Sequence, residues 1–495
     1  MLVGFHSRLN QAAVRSVIAQ MDADRAVRPT VSLISRTNYL QGRADFFLSS
    51  QDGYRDCGFE QSRAWPFPPQ ALLHDLCAAE STALRMMDRV QRVSGAGSTI
   101  ESRQRRWLEW VTYIYGMLRS QRVDTVLFCN VPHFPFEYAL LEVARKCGLK
   151  TRFFMQLQVL DTFVSGTAVE ALFEPLSGSL VAADRELEPR MQAELERREN
   201  RRPFFYMHKR GVPWGTRLHV WQRRLFRWRP EWVPSAWAYW RARQAAKSYA
   251  RDSAPFVYLP LHLQPEATTC PMGGVYVDQL LVVEMVSRAL PAGWRLVVKE
   301  NPKQQLSKRQ PTFYQRLAQL PNVQVVSRRH SSMELVEAAQ AVATITGSAG
   351  WEGLCAGKPV LVFGNAFYRA AVGAVAVDDL DTLREELARI ADGRFVTATP
   401  STCRAFLAGL QQHSYRGVTD AQYLRDSTMS EDEAIQAYAM ALRDMLADSR
   451  AVVPEPVAST VATIAPALPR RGTSAEWNGA EAHAAEAPVL RTSFP

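Results

Sequence analysis

Several features that would settle a protein's class are missing from this sequence. It has no apolar run near the roughly 18 residues that a spanning helix needs. Its first residues, MLVGFHSRLNQ, lack the basic-then-apolar layout of a secretory signal. Its seven cysteines (57, 77, 129, 147, 270, 355 and 403) form no CxxC and no Cys/His metal spacing. That scatter argues against a disulfide framework or a zinc site and for a reducing compartment. The expectation is a cytoplasmic protein with no metal or other cofactor. Acidic residues are scarce in one stretch: between Arg201 and Lys247 there are twelve Lys/Arg and a single acid, Glu231. This segment accounts for the whole formal charge of +10, and the remainder of the chain is close to neutral. A nucleic-acid partner, which needs basic charge displayed across a binding face, is therefore not expected.

What is present is an ordinary globular composition, 47% hydrophobic over 495 residues, long enough for two or three domains at about 100–200 residues each. Residues 1–195 read as an irregular α/β domain. Within it, Asp124–Cys129, Pro135–Cys147 and Thr151–Met155 form a strand–helix–strand unit of the kind that builds parallel sheets. Residues 196–252 read as a basic connector carrying six of the twelve tryptophans, with prolines 203, 213, 230 and 234 expected to break it into short pieces. From Pro255 to about Asp392, apolar strands alternate with helices, which predicts a doubly wound parallel sheet; this second α/β domain is placed at 253–450. Residues 451–495 are Ala/Pro/Thr/Glu-rich and carry little that could build a core, so a disordered tail is expected. The fold class is thus α/β, two Rossmann-like domains facing a cleft, as in GT-B enzymes.

The strongest local signal is TITGSAGWEGLCAGKPVLVFG, Thr344–Gly364. A strand ends near Thr346, small residues Gly347, Ser348, Ala349 and Gly350 turn tightly, and a helix opens at once. Small residues let the backbone approach a ligand, and a helix N-terminus favours an anion such as phosphate. Glu352, in the first helical turn, is placed to accept from a ribose hydroxyl or simply to serve the helix dipole. A second block, LPLHLQPEATTCPMGG (Leu259–Gly274), leaves the first strand of the second domain carrying His262, Gln264 and Glu266. A carboxylate at a strand-to-helix loop can act as base, nucleophile or electrostatic partner of a cationic transition state, or can be merely solvated. A third, VVKENPKQ, ends a strand with Lys299, Glu300 and Asn301; Lys299 suits a phosphate or carboxylate, or pairs with Glu300 at the surface. In the first domain, NVPHFPFEYAL places His133 and Glu137 four residues apart, able to share a helix face and bind one hydroxyl if the helix starts early. His6, at the end of the first strand, is a weaker candidate.

These blocks together resemble the capsule polysaccharide biosynthesis protein family, which includes bacterial transferases using CMP-activated 3-deoxy-D-manno-octulosonic acid (Kdo). The resemblance is carried by Leu261–Thr269, Gly273–Gln279, Val297–Pro302 and Thr346–Tyr368, and more thinly by NVPHFPFE. It implies a metal-independent GT-B glycosyltransferase of capsule or lipopolysaccharide-type polysaccharide assembly, with a nucleotide-sugar donor and a glycan or lipid-linked acceptor. It implies that Gly347–Gly350 hold the nucleotide phosphate, with Thr346, Glu352, Gln264, Lys299, Glu300 and Asn301 around the donor. Glu266 would be the carboxylate at the reacting sugar, and His133 or Glu137 would activate the acceptor. Where relatives commonly read Lys-x-His-Pro, this chain has Asn301, which cannot carry a proton; the resemblance then implies a hydrogen bond to the donor or a different donor. A nucleotide-sugar epimerase of the same architecture and a non-catalytic assembly or export subunit are the alternatives. The Arg/Trp interleaving of 201–247 suits contact with the inner-membrane surface; the competing expectation is that its tryptophans pack inside the protein.

Overall fold

The sheets follow from where apolar residues run without interruption. A strand buried on both faces reads as a continuous apolar run rather than an alternation, and AVAT, RLVVK and VLV are each buried at every position. The structure, a computed structural model, describes residues 2–5, 12–13, 16–17, 31–34, 46–49, 64–88, 99–128, 130–178, 186–200, 232–247, 254–306 and 309–448. His6, residues 201–231 of the connector and the expected tail at 451–495 lie outside the described residues.

The strands are β1 (Leu2–Phe5), β2 (Val31–Ile34), β3 (Phe46–Ser49), β4 (Thr125–Phe128), β5 (Lys150–Gln156), β6 (Thr162–Gly166), β7 (Phe256–Pro260), β8 (Arg295–Lys299), β9 (Val323–Val326), β10 (Ala341–Thr344), β11 (Val360–Val362), β12 (Ala374–Ala376) and β13 (Tyr415–Arg416). They form a seven-stranded sheet of order β13-β6-β5-β4-β1-β2-β3 and a six-stranded sheet of order β12-β11-β10-β7-β8-β9. The second sheet is parallel throughout. In the first, β6 and β13 add an antiparallel edge to a parallel centre.

The helices that matter for the site are α1 (Gln70–Asp75), α2 (Cys77–Met86), α3 (Ile100–Ser120), α4 (Pro135–Lys146), α5 (Pro189–Glu199), α6 (Trp232–Lys247), α7 (Gln279–Ala289), α8 (Pro311–Gln319), α9 (Ser332–Ala338), α10 (Ser348–Cys355), α11 (Leu380–Ala391), α12 (Pro400–Gln412) and α13 (Glu431–Asp448). Their ends show why the sequence makes them. Thr99 accepts from the Ser102 amide at 3.2 Å to open α3, and Asp379 accepts from the Thr382 amide at 2.7 Å to open α11. Gly148, at φ +72°, follows α4 in the left-handed region that a C-terminal stop requires. On α3 the buried Trp107, Trp110, Val111, Ile114 and Met117 lie on one stripe.

Two expectations need correction. Pro234 does not break the connector: it sits in the first turn of α6, where a missing amide hydrogen costs nothing, and the helix continues to a length of 16 residues. And the chain beyond 414 leaves the second sheet. Strand β13 pairs with β6, and α13 buries Ala434, Tyr438, Leu442 and Met445 against Leu127, Phe154 and Phe163 of the first sheet. The return is fastened by Arg190, which donates to the Tyr415 carbonyl at 2.6 Å, and by Thr428, which donates to Asp161 at 2.7 Å. These residues, expected within 253–450 as part of the second domain, complete the first: together with Ala13 and Val17 they cover a hydrophobic face of that sheet.

Tyr438 is fully buried, with its ring 5.0 Å from that of Phe154. Tyr438→Ala is expected to cost about 3–5 kcal/mol. Amide exchange should accelerate in β5 and β6, far away in sequence, and stay unchanged in β8; equal acceleration in both sheets would contradict this placement.

Candidate active site

In an open α/β sheet, ligands collect beyond the strand C-termini where neighbouring connections run to opposite sides. In the second sheet that point lies between β7 and β10, because β8 continues on one side of β7 and β10 on the other. In the first it lies between β1 and β4, with β2 on the opposite flank. The loop after β4 carries His133 and the loop after β7 carries Glu266. The two meet: Nε2 of His133 is 3.6 Å from Oε1 of Glu266, with the side chains 40% and 36% exposed. That separation is longer than a hydrogen bond, within range of charge attraction, and open to solvent.

Beneath Glu266 the loops are held by polar groups that face inward. His262, the second residue after β7, is buried. Its Nε2 accepts from the amides of Ile345 at 3.3 Å and Thr346 at 3.4 Å and lies 3.3 Å from Oγ1 of Thr344. An acceptor at Nε2 places the ring proton on Nδ1 in a neutral imidazole. Burial, reinforced by the nearby Arg309 guanidinium, lowers its pKa to about 4. The turn after β10 is fitted around this ring. A Cβ at Gly347 would stand 2.9 Å from Oγ1 of Thr344 and 3.1 Å from the imidazole, and one at Gly350 would collide with the ring of Tyr368. The Tyr368 hydroxyl donates to the Gly347 carbonyl, and Thr346 donates to the Thr268 carbonyl at 2.5 Å. The sequence therefore requires glycine here for close packing of the turn itself.

Arg309 is the second anchor. It donates to Glu300 at 2.7 and 3.3 Å, to Gln264 at 3.1 Å, to the His262 carbonyl at 2.9 Å and to Gln279 at 3.3 Å. Glu300 is fully buried and also accepts from Tyr314 at 2.6 Å and the Asn301 amide at 2.8 Å. Removing one partner of such a buried pair typically costs about 3–5 kcal/mol. Lys299, at the end of β8, is buried with its ammonium 2.6 Å from Oγ of Ser332. Burial lowers its pKa below the usual lysine value, opposed by the Glu352 carboxylate. Glu352 in turn lies 3.2 Å from Arg198 of α5. Arg198 shares the fully buried Glu194 with Arg197 and with the Trp351 indole, whose nitrogen donates to Glu194 at 3.1 Å. Helix α5 of the first sheet's half is thereby fastened to α10.

Next to the Glu266 loop lies a cavity of about 770 Å³, walled by Gln264, Thr269, Arg309, Thr312, Gln315 and Gln319 among others. Among its charged walls Asp88 pairs with Arg103 at 2.9 Å, Arg316 with Glu284 at 2.7 Å and Arg309 with Glu300, and Arg85 and Asp278 also face it.

Residues 223–391 match the family model described as capsule polysaccharide biosynthesis protein. The matched stretch takes in β7–β12 and none of the strands of the first sheet. No curated protein matches the chain. Among solved structures, this chain is similar to a Thermosulfurimonas dismutans KpsC beta-Kdo 2,7 transferase, at 13% identity and TM-score 0.30, over 67% of this chain and 89% of that one. A beta-Kdo 2,4 transferase of Thermosulfurimonas dismutans KpsC matches at 13% and TM-score 0.31, over 64% and 87%. A UDP-GlcNAc 2-epimerase from Methanocaldococcus jannaschii matches at 9% and TM-score 0.24, over 83% and 98%.

The expected residues divide. His133 and Glu266 are brought together at the cleft, and Lys299, Thr346–Gly350 and Glu352 gather at the C-terminal edge of the second sheet. Two carboxylates are buried rather than open. Glu137 does not share a face with His133, because α4 starts only at Pro135; its buried carboxylate turns back to accept from the amides of His133 at 2.9 Å and Phe134 at 3.2 Å. Glu300 is not at the surface beside Lys299 but saturated inside. Asn301 closes a turn, accepting from the Lys303 amide at 2.9 Å. Of the four small residues expected to cradle an anion, Gly347 donates to Thr344 at 3.0 Å and Gly350 to Gly347 at 3.1 Å. The amides of Ser348 and Ala349 lie in the first turn of α10. Gln264 is engaged with Gln279, Gln304, Arg309 and the Val277 carbonyl. Spacing alone missed Arg309, Ser332, Tyr368, Arg198 and Glu194, whose partners lie on other elements.

The His262 arrangement has a pH signature. Its folded pKa near 4 lies below the unfolded value of about 6.5. The unfolded chain therefore binds the extra proton first, and stability present above pH 6.5 is lost as pH falls toward 4. This one group is expected to remove about 1.5 kcal/mol between pH 6.5 and 5. Urea midpoints measured across that range should fall more steeply for the native protein than for His262→Gln; parallel curves would rule out a buried neutral histidine.

Proposed function

We propose that the protein is a glycosyltransferase of bacterial surface-polysaccharide assembly. It would move a sugar from a nucleotide donor, CMP-Kdo by the resemblance, to a hydroxyl of a glycan or lipid-linked acceptor. The observation that carries this reading is the meeting of His133 and Glu266 from the two sheets' ligand-binding points. Lys299 and the head of α10 lie on the donor side of that contact.

The chemistry follows from the groups available. The bond between the anomeric carbon and the phosphate oxygen breaks, and the nucleotide leaves as an anion. Lys299 and the amide dipoles of Ser348 and Ala349 stabilise that charge where it develops. Positive charge grows on the sugar ring as the leaving group departs, and the Glu266 carboxylate faces it. The acceptor oxygen bonds to the anomeric carbon while His133 takes its proton. The cavity beside the Glu266 loop, walled by glutamines, threonines and charged groups, suits the hydroxyls of a glycan, giving the acceptor a seat on the same loop. Glu137 and Glu300 shape the site without touching substrate.

Glu266 and His133 are half-exposed, so replacing them should leave the fold intact. Glu266→Gln is expected to lower CMP release from CMP-Kdo, in the presence of a lipid-linked glycan acceptor, at least about a hundredfold. His133→Ala should lower kcat similarly, with the donor KM little changed. A fully active Glu266→Gln variant would remove the carboxylate from the mechanism.

A further inference from the structure

Helix α6 presents two faces of opposite character. One is pinned inward: Ser235, Ala238, Tyr239 and Ala242 are buried. Ser235 donates to the Arg309 carbonyl at 2.8 Å, and the Tyr239 ring meets that of Tyr314 at 5.1 Å. The other face carries Val233, Trp237 and Trp240, at 44%, 58% and 46% exposure. Spacings of four and three residues put these on one stripe, and exposed Arg241 continues it. The two indoles stack on each other, centroids 4.9 Å apart and planes 21° from parallel. Two neighbouring tryptophans that touch each other, and leave their outer faces to water, have not been absorbed into the core as the competing sequence expectation held.

We propose that this face of α6 seats the protein on an anionic membrane surface. Charge points to that occupant. Helices α6 and α8, packed together, contain no acidic residue, and Arg241 and Arg243 have no carboxylate partner among the described residues. Arg328 and Arg243 lie 5.7 and 6.0 Å from the buried Tyr239 ring, on the inward flank of the helix, and Arg241 stands on the exposed stripe itself. The chain enters α6 from residues 201–231, which add nine Lys/Arg and three further tryptophans. Indole rings prefer the headgroup layer, where an apolar body and a polar N–H are both satisfied, and arginines beside them meet lipid phosphates. Among the described residues no helix is long and apolar enough to cross a membrane; this is a face that lies on one. The inference goes beyond the proposed reaction and holds whichever sugar is transferred.

The test uses the full chain in flotation with vesicles of phosphatidylcholine alone and of phosphatidylcholine mixed with phosphatidylglycerol. The native protein is expected to float with the anionic vesicles only, and less as salt rises. Replacing both rings, Trp237→Ser with Trp240→Ser, should cut partitioning at least about tenfold while leaving the unfolding midpoint in place, since both are exposed. Arg241→Gln alone should weaken it roughly fivefold. The proposal is overturned if the double variant floats as well as the native protein or if the native protein floats equally with neutral vesicles. It is also overturned if sedimentation shows a native dimer that the double variant dissociates, which would assign the face to a second copy of the chain.

Discussion

The site depends on one uncharged imidazole. His262 can accept from the amides of Ile345 and Thr346 only while its Nε2 is unprotonated, and those amides come directly after β10, before the chain turns into α10. Burying the ring removes water as a competitor for these bonds and at the same time keeps the proton off. The glycines follow from this contact: Gly347 passes beside the ring, and Gly350 passes beside Tyr368, with no room for a side chain at either. Arg309 then ties the His262 carbonyl to Glu300 and Gln264, so the loops after β7, β8 and β10 are fixed as one body. A site built this way holds its amide dipoles and Lys299 in position before any ligand arrives, which is how electrostatic stabilisation avoids reorganisation cost during a reaction.

A second constraint fixes the two halves to each other. Glu194 is fully buried and is satisfied by Arg197, Arg198 and the Trp351 indole, while Arg198 reaches on to Glu352. Buried charges demand such partners, and truncating any one of them leaves another unpaired. The return of β13 and α13 to the first sheet makes the chain cross between the two halves a second time. The approach of His133 to Glu266 is thus set by packing and ion pairs elsewhere, and both side chains stay half-exposed.

Much of the second sheet was legible because its signals are local. AVAT and VLV are too apolar to be anything but buried strands, and α11 spans Leu380–Ala391 as its Asp379 cap and leucine spacing require. Short or polar edge strands carried no such signal: Ala374–Ala376 has three residues, and Tyr415–Arg416 pairs with a strand some 250 residues earlier. The site was legible in its loops and not in its roles. Glu300 and Glu137 look like cleft carboxylates from the sequence, since nothing local reveals that Arg309 and Tyr314 close over one and that two backbone amides occupy the other. Long-range partners decide burial, and burial decides whether a carboxylate does chemistry or holds structure.

The turn after β10, together with Lys299, is the seat proposed for the phosphate of a nucleotide. A thermal-shift titration with CMP, CDP, UDP and GDP, on the native protein and on Lys299→Ala, tests it most directly. Stabilisation by CMP is expected, about 2.7 kcal/mol at a hundred times its Kd, with loss of that stabilisation in the Lys299 variant. Stabilisation by none of the four, or an unchanged CMP shift without the lysine, would contradict it.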